Sequence, residues 1–237
     1  MGASAALWEM ASGAALAARL NLSFAPLARW TALGGAFWMA IFVYLRRGGR
    51  AESGSRFVAG LVLAGASAHL GWALLHLQDV MAHPRVLLNP AAGHCVLFAP
   101  LGILALAPEA HAVRERYLAA ALGSLPEAFA VARLGCLASG CCQGTLVVFG
   151  IDAIPLGEIA GLLALAGWAR RLPAAWVGPA TLSSFGTLRL LSEPFRAPAP
   201  LGEPLLSPSV LGIGWVAVGA AMGLAVSRRP RPALDLS

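Results

Sequence analysis

The chain has 237 residues, 58% hydrophobic and only 12% charged, with a formal net charge of +6 and a positive mean hydropathy. A water-soluble domain carries about 25% charged residues, so this composition excludes a soluble enzyme and indicates a membrane protein. The basic excess is not a nucleic-acid signal: all 17 basic residues are arginines, grouped in short clusters between apolar runs, as topology determinants are.

Residues 1–24 carry Glu9 and no basic leader, with Leu7, Trp8 and Leu16 among alanines. They are expected to form an interfacial helix or a periplasmic N-terminal arm. Seven apolar runs bounded by charge or by Pro/Gly clusters follow, each read as a span. They are Pro26 to Leu45, Phe57 to Leu77, Val86 to Ala107, Arg116 to Ala138, Ile154 to Ala169, Ala174 to Glu193 and Ser209 to Val226. The third is broken inside by Asn89-Pro90 and Pro100, and Pro126 predicts a kink in the fourth. No repeat or linker divides the chain, so residues 1–237 are read as one all-α, seven-helix transmembrane domain.

Orientation follows from the arginines. With the loop after the first span inside, Arg46, Arg47, Arg50, Arg56, Arg114, Arg116, Arg170, Arg171, Arg228, Arg229 and Arg231 all fall on the cytoplasmic side. The expectation is an N-terminus outside and a C-terminus inside.

This orientation gathers the polar residues of the spans at one depth. His69, His76, His94 and Cys95 fall in the outward halves of spans two and three, and Arg133 and Cys136 close span four. Glu158 opens span five, and Arg189 and Glu193 end span six. Glu127, near the middle of span four, is the exception. Ionisable groups are costly in hydrocarbon, so their convergence argues for a polar cavity open to the outer leaflet. Arg189 and Glu193, four apart, share a helix face and can pair. Two arginines at that depth suit an anion, most naturally a lipid phosphate held in bidentate fashion. His69, Trp72 and His76 share another face, either as packed imidazoles or as proton carriers. Cys136, Cys141 and Cys142 admit a nucleophilic thiol beside Arg133, a disulfide at the outer face that includes Cys95, or simple close packing. No standard metal-ligand spacing is present, and neither a metal nor another cofactor is expected.

Two segments carry a specific resemblance. Arg133-Leu-Gly-Cys136 through Gly140-Cys141-Cys142-Gln143-Gly144, and Arg189-Leu-Leu-Ser-Glu193-Pro-Phe-Arg196, resemble motifs of the prolipoprotein diacylglyceryl transferase family, the first in its Cys-Cys variant branch. His69-Leu-Gly-Trp72 and Leu156-Gly-Glu158 resemble two further family segments. The resemblance implies a multi-pass protein of the bacterial inner membrane that transfers diacylglyceryl from phosphatidylglycerol to the cysteine thiol of a prolipoprotein signal peptide. It implies phospholipid-binding roles for Arg133, Gly144, Arg189 and Arg196, and a catalytic or orienting role for Glu193. The family's His-Gly-Gly segment reads Ala99-Pro100-Leu101 here, and Asp152 stands where a later histidine would be. The proton of the acceptor thiol therefore falls to His69, His76 or His94. The alternatives are a family member that binds lipid or a lipoprotein partner without transfer, and a thiol-disulfide protein using the three cysteines.

Reporter fusions test the orientation directly. Those after Gly49 and Arg171 are expected to read cytoplasmic and one after Ala199 external; an external reading after Gly49 would reverse the assignment.

Overall fold

The computed structural model describes residues 24–88, 95–139, 145–148, 151–196 and 208–228. Helix α1 (Phe24–Arg46) leads through a short turn into α2 (Ala51–Leu75), which is followed by the short α3 (Leu77–Ala82). Two 3-10 turns, Pro84–Leu88 and Val96–Phe98, precede α4 (Ala99–Ala105). The long α5 (His111–Ser139) ends before a small antiparallel pair, β1 (Val147–Val148) and β2 (Ile151–Asp152), with Val148 opposite Ile151. Then come α6 (Ala153–Ala169), α7 (Ala174–Ser192), a 3-10 turn Glu193–Phe195, and α8 (Pro208–Ser227). Among the described residues three helices are long and apolar enough to cross a membrane: Ser53–Leu75, His111–Ala138 and Pro208–Ser227.

Spans one, five, six and seven match their helices to within two residues, whereas α2 and α5 begin at Ala51 and His111, before the predicted Phe57 and Arg116, and there are two further differences. The run Val86 to Ala107 is not one membrane-length helix. Among its described residues the α-helical part is the seven-residue α4, and Pro100 sits in the first turn, where a missing N–H costs no intrahelical bond. Span two also stops early, because His76 leaves the helical region at φ −112° and ψ 37°. Pro126, by contrast, lies inside a continuous α5.

Helix α5 is the axis of the bundle. Helices α1, α6 and α7 pack on it, while α8 packs on α7 and α4 on α2. Its buried side is built from Ala120, Ala121, Leu122, Leu125, Ala128 and Ala130, small and medium residues that let neighbouring backbones approach. The outside is inverted relative to a soluble protein. Trp38, Val62, Leu74 and Ile213 are each more than half exposed on helix surfaces, as expected where the surrounding solvent is lipid.

With no water in such an environment, polar groups are satisfied internally. Cys95 N–H donates to the Ala68 carbonyl at 2.8 Å, and Ser67 Oγ donates to the Phe98 carbonyl at 2.9 Å, clamping the 3-10 turn before α4 onto α2. The Trp215 indole of α8 donates to the Leu97 carbonyl at 2.6 Å on the same turn.

Helices α7 and α8 cross through glycines. A Cβ on Gly186 would stand 2.4 Å from the Gly212 carbonyl oxygen, whereas one on Gly214 would meet nothing within 4 Å. Gly186→Ala should therefore destabilise the protein by about 1–3 kcal/mol, while Gly214→Ala leaves it unchanged; thermal unfolding in detergent checks both.

Candidate functional site

Three parts of the chain meet at one end of the bundle. Helix α5 delivers Arg133 one and a half turns before its C-terminus, and α6 delivers Glu158 in its second turn. Helix α7 and the 3-10 turn that extends it deliver Arg189, Ser192, Glu193 and Arg196. Backbone hydrogen bonds fix this junction. Thr145 N–H and its hydroxyl both donate to the Phe195 carbonyl, at 2.8 and 3.1 Å, so the segment after α5 is tied to the residue preceding Arg196. Asp152 caps α6 by accepting from the Ile154 N–H at 3.0 Å, and Ala153 N–H donates to Leu146 at 3.0 Å.

The charges form one alternating chain. Arg133 Nε lies 2.7 Å from Glu158 Oε2, and the other oxygen of Glu158 accepts from Arg196 Nη2 and, at 2.7 Å, from the Ser192 hydroxyl. Arg196 Nε is 3.9 Å from Glu193 Oε2, which in turn is 2.7 Å from Arg189 Nη2. Every member is largely buried, from 5% side-chain exposure at Glu158 to 22% at Glu193. Three arginines against two glutamates leave a net charge of +1. The Nε groups of Arg189 and Arg196 are buried without a hydrogen-bond partner. Glu158 Oε2 and Glu193 Oε2 are likewise buried without a hydrogen-bond partner, so it is the net positive charge that leaves the cluster able to take one more anion.

Arg133, Cys136, Glu158 and Arg189 line a common cavity of about 40 Å³, closed on its other sides by Leu97, Phe129 and Phe185 among others. That volume admits a water molecule or a phosphoryl oxygen and not an entire headgroup. Arg133 Nη1 also points at the Cys136 sulfur, at 3.7 Å.

The other sequence candidates fall elsewhere. His69 Nε2 pairs with the Leu87 carbonyl at 3.1 Å and His76 Nδ1 with the Trp72 carbonyl at 3.0 Å, with the Trp72 ring stacked between the two imidazoles. Neither histidine lines the arginine cavity. The i, i+3, i+7 stripe is thus a packed aromatic face, because the end of α2 at Leu75 redirects the backbone at His76. Cys95 is a free thiol, half-buried under the clamp to Ala68, so the disulfide drawn to it from the sequence is not formed. His94, Cys141, Cys142 and Gly144 lie outside the described residues. Among the described residues no group of three or more His, Cys, Asp or Glu converges as a metal site.

Two contributors were missed at the level of roles. Glu158 was placed by depth but given no function, and Ser192 was given none. The signal for Glu158 was available: it is the only acid in an otherwise apolar run of seventeen residues. For Ser192 there was no signal beyond its place between Arg189 and Glu193.

No protein-family model matches the chain, and no curated protein matches it either.

Glu158 neutralises two arginines at once, so its loss leaves two buried cations facing each other. Glu158→Gln is expected to destabilise the protein by about 3–5 kcal/mol, and Glu158→Gln combined with Arg133→Gln by less. Unfolding of the purified variants in detergent measures both.

Proposed function

We propose that this chain is a multi-pass inner-membrane protein of the prolipoprotein diacylglyceryl transferase type, with seven spans, an external N-terminus and its arginine–glutamate cluster at the outer leaflet. The observation that carries the reading is the convergence of Arg133, Glu158, Arg189 and Arg196 in one buried network. These residues come from three separate segments that resemble family motifs, and nothing in their sequence separation requires them to meet.

The reaction asks for an anion site beside an apolar channel, and the cluster supplies one. Phosphatidylglycerol carries a single negative charge on its phosphodiester, which complements the net charge of +1. Arg189 and Arg196, whose Nε groups make no hydrogen bond, hold the phosphate, and Glu193 keeps both guanidinium groups in place until the headgroup enters. Entry of the headgroup displaces Glu193, the most exposed member of the chain of charges. In the transfer step the acceptor thiolate attacks the glyceryl carbon bonded to the phosphate oxygen. A C–S bond forms, the C–O bond breaks, and its electron pair leaves with glycerol phosphate. Charge on the departing phosphate grows during this step, and preorganised guanidinium groups stabilise that growth.

The thiol proton needs a base, since thiolate is the nucleophile. His69 and His76 are held on carbonyls away from the cavity, so this reading assigns the proton to His94. One observation favours a second reading, a lipid-binding protein without transfer: among the described residues no histidine lines the cavity.

Incubation of the purified protein with phosphatidylglycerol and a lipobox peptide, followed by mass spectrometry of the peptide, separates the two. Slow thioether formation is expected. Arg189→Gln should lower it about a hundredfold or more and weaken lipid binding, while His94→Ala abolishes transfer and leaves binding intact. Binding with no thioether from the parent protein would establish the second reading, and absence of both would overturn the assignment.

A further inference from the structure

A second charged recess lies about 9 Å along α5 from Arg133, the rise of six helical residues, and the transfer reaction makes no use of it. Helices α1 and α6 both pack on α5, and the wedge between them holds a cavity of about 440 Å³. That volume is within the range of about 300–1,000 Å³ typical of ligand pockets. Each helix contributes one face. Met39, Phe42, Val43, Arg46 and Arg47 of α1 and its C-terminal turn follow the helical period, as do Glu127, Val131 and Leu134 of α5, and Ile159, Leu163 and Arg170 come from α6 and its C-terminal end.

The charges lining the recess are unequal. Glu127 Oε1 is 3.1 Å from Arg170 Nη2 and 3.9 Å from Arg47 Nη2, and Arg46 lines the same recess. Three arginines face one glutamate, an excess of two cations. Arg47 Nε and Glu127 Oε2 are both buried with no hydrogen-bond partner. Glu127 neutralises one of the three arginines, which leaves two positive charges beside an apolar wall that suit an anionic headgroup.

We propose that this recess is a second phospholipid site, distinct from the Arg133 cluster, which takes the phosphate headgroup of an anionic lipid from the leaflet at the arginine-loop end of the bundle. The guanidinium groups of Arg46, Arg47 and Arg170 hold the phosphate. The acyl chains run along the apolar wall toward Leu134 and Leu163, which stand half exposed at the lateral opening. That wall is what selects a lipid over a soluble phosphate compound, since a soluble ligand gains nothing from apolar surface facing hydrocarbon.

The test uses the full-length protein in zwitterionic nanodiscs doped with a photoactivatable phosphatidylglycerol, with the labelled peptides identified by mass spectrometry. Labelling is expected on peptides spanning Met39 to Arg47 and Ile159 to Arg170. The double variant Arg46→Gln/Arg170→Gln alters two exposed side chains, removes the Arg170–Glu127 hydrogen bond and leaves Arg47 paired with Glu127, with thermal unfolding in detergent confirming that the variant is folded. It should reduce that labelling about tenfold or more, about 1 kcal/mol per arginine near an anionic surface. Arg189→Gln should leave it unchanged. Unlabelled phosphatidylglycerol should compete, while phosphatidylcholine and inorganic phosphate should not. Undiminished labelling in the double variant, equal competition by phosphatidylcholine, or loss of the α1 and α6 labels in Arg189→Gln would each overturn the second site. Competition by inorganic phosphate equal to that of the lipid would overturn the lipid assignment in favour of a soluble phosphate ligand.

Discussion

Glu158 is the constraint on which this end of the molecule depends. One carboxylate, almost wholly buried, is ion-paired with Arg133 of α5 and with Arg196 beyond α7, and accepts from a serine hydroxyl of α7. In a low-dielectric interior an unpaired guanidinium is worth several kcal/mol of destabilisation, so α5, α6 and the turn after α7 cannot separate here without exposing charge to hydrocarbon. Apolar packing holds the same helices together elsewhere, but it does not specify their register. The position of Glu158 does, because only one rotation of α6 brings its carboxylate between Arg133 and Arg196.

A buried ion network of this kind is weak support for stability as such, since well-packed apolar residues of the same volume often serve better. Its composition is more informative than its existence. The cluster carries one more arginine than glutamate, an arrangement that a purely structural network would not retain without cost. The second recess between α1 and α6 repeats the logic with a larger excess and a larger volume. Both sites use arginine, whose planar donors match a phosphate in a way that a point charge does not.

The two sites differ in how the bundle encloses them. Around Arg133 the aromatic rings of Phe129 and Phe185, stacked with centroids 4.9 Å apart, leave little room. Around Glu127 the wall is made of Met39, Phe42, Val43, Val131, Ile159 and Leu163, and the cavity is about 440 Å³. On the reading proposed above, the first holds a small charged group and the second a lipid headgroup.

The hydropathy of the chain determined most of the helices, though not the run Val86 to Ala107. Runs such as Ile154 to Ala169 and Ala174 to Glu193 match α6 and α7 to within a residue, because an apolar segment of that length in lipid must satisfy its own backbone and can do so only as a helix. The i, i+4 pair of Arg189 and Glu193 was legible for the same reason, since helical geometry alone places the two side chains together. Contacts between helices were not legible. That Glu158 would bridge Arg133 and Arg196 depends on the rotation of α6 against α5 and on the tie between Thr145 and Phe195, neither of which is written in local periodicity. The same holds for His69 and His76, whose shared face was correctly read but whose place away from the arginines was decided by where α2 ends. Local sequence determines the helix and its faces, whereas the choice of partner for each face is a property of the whole packed bundle.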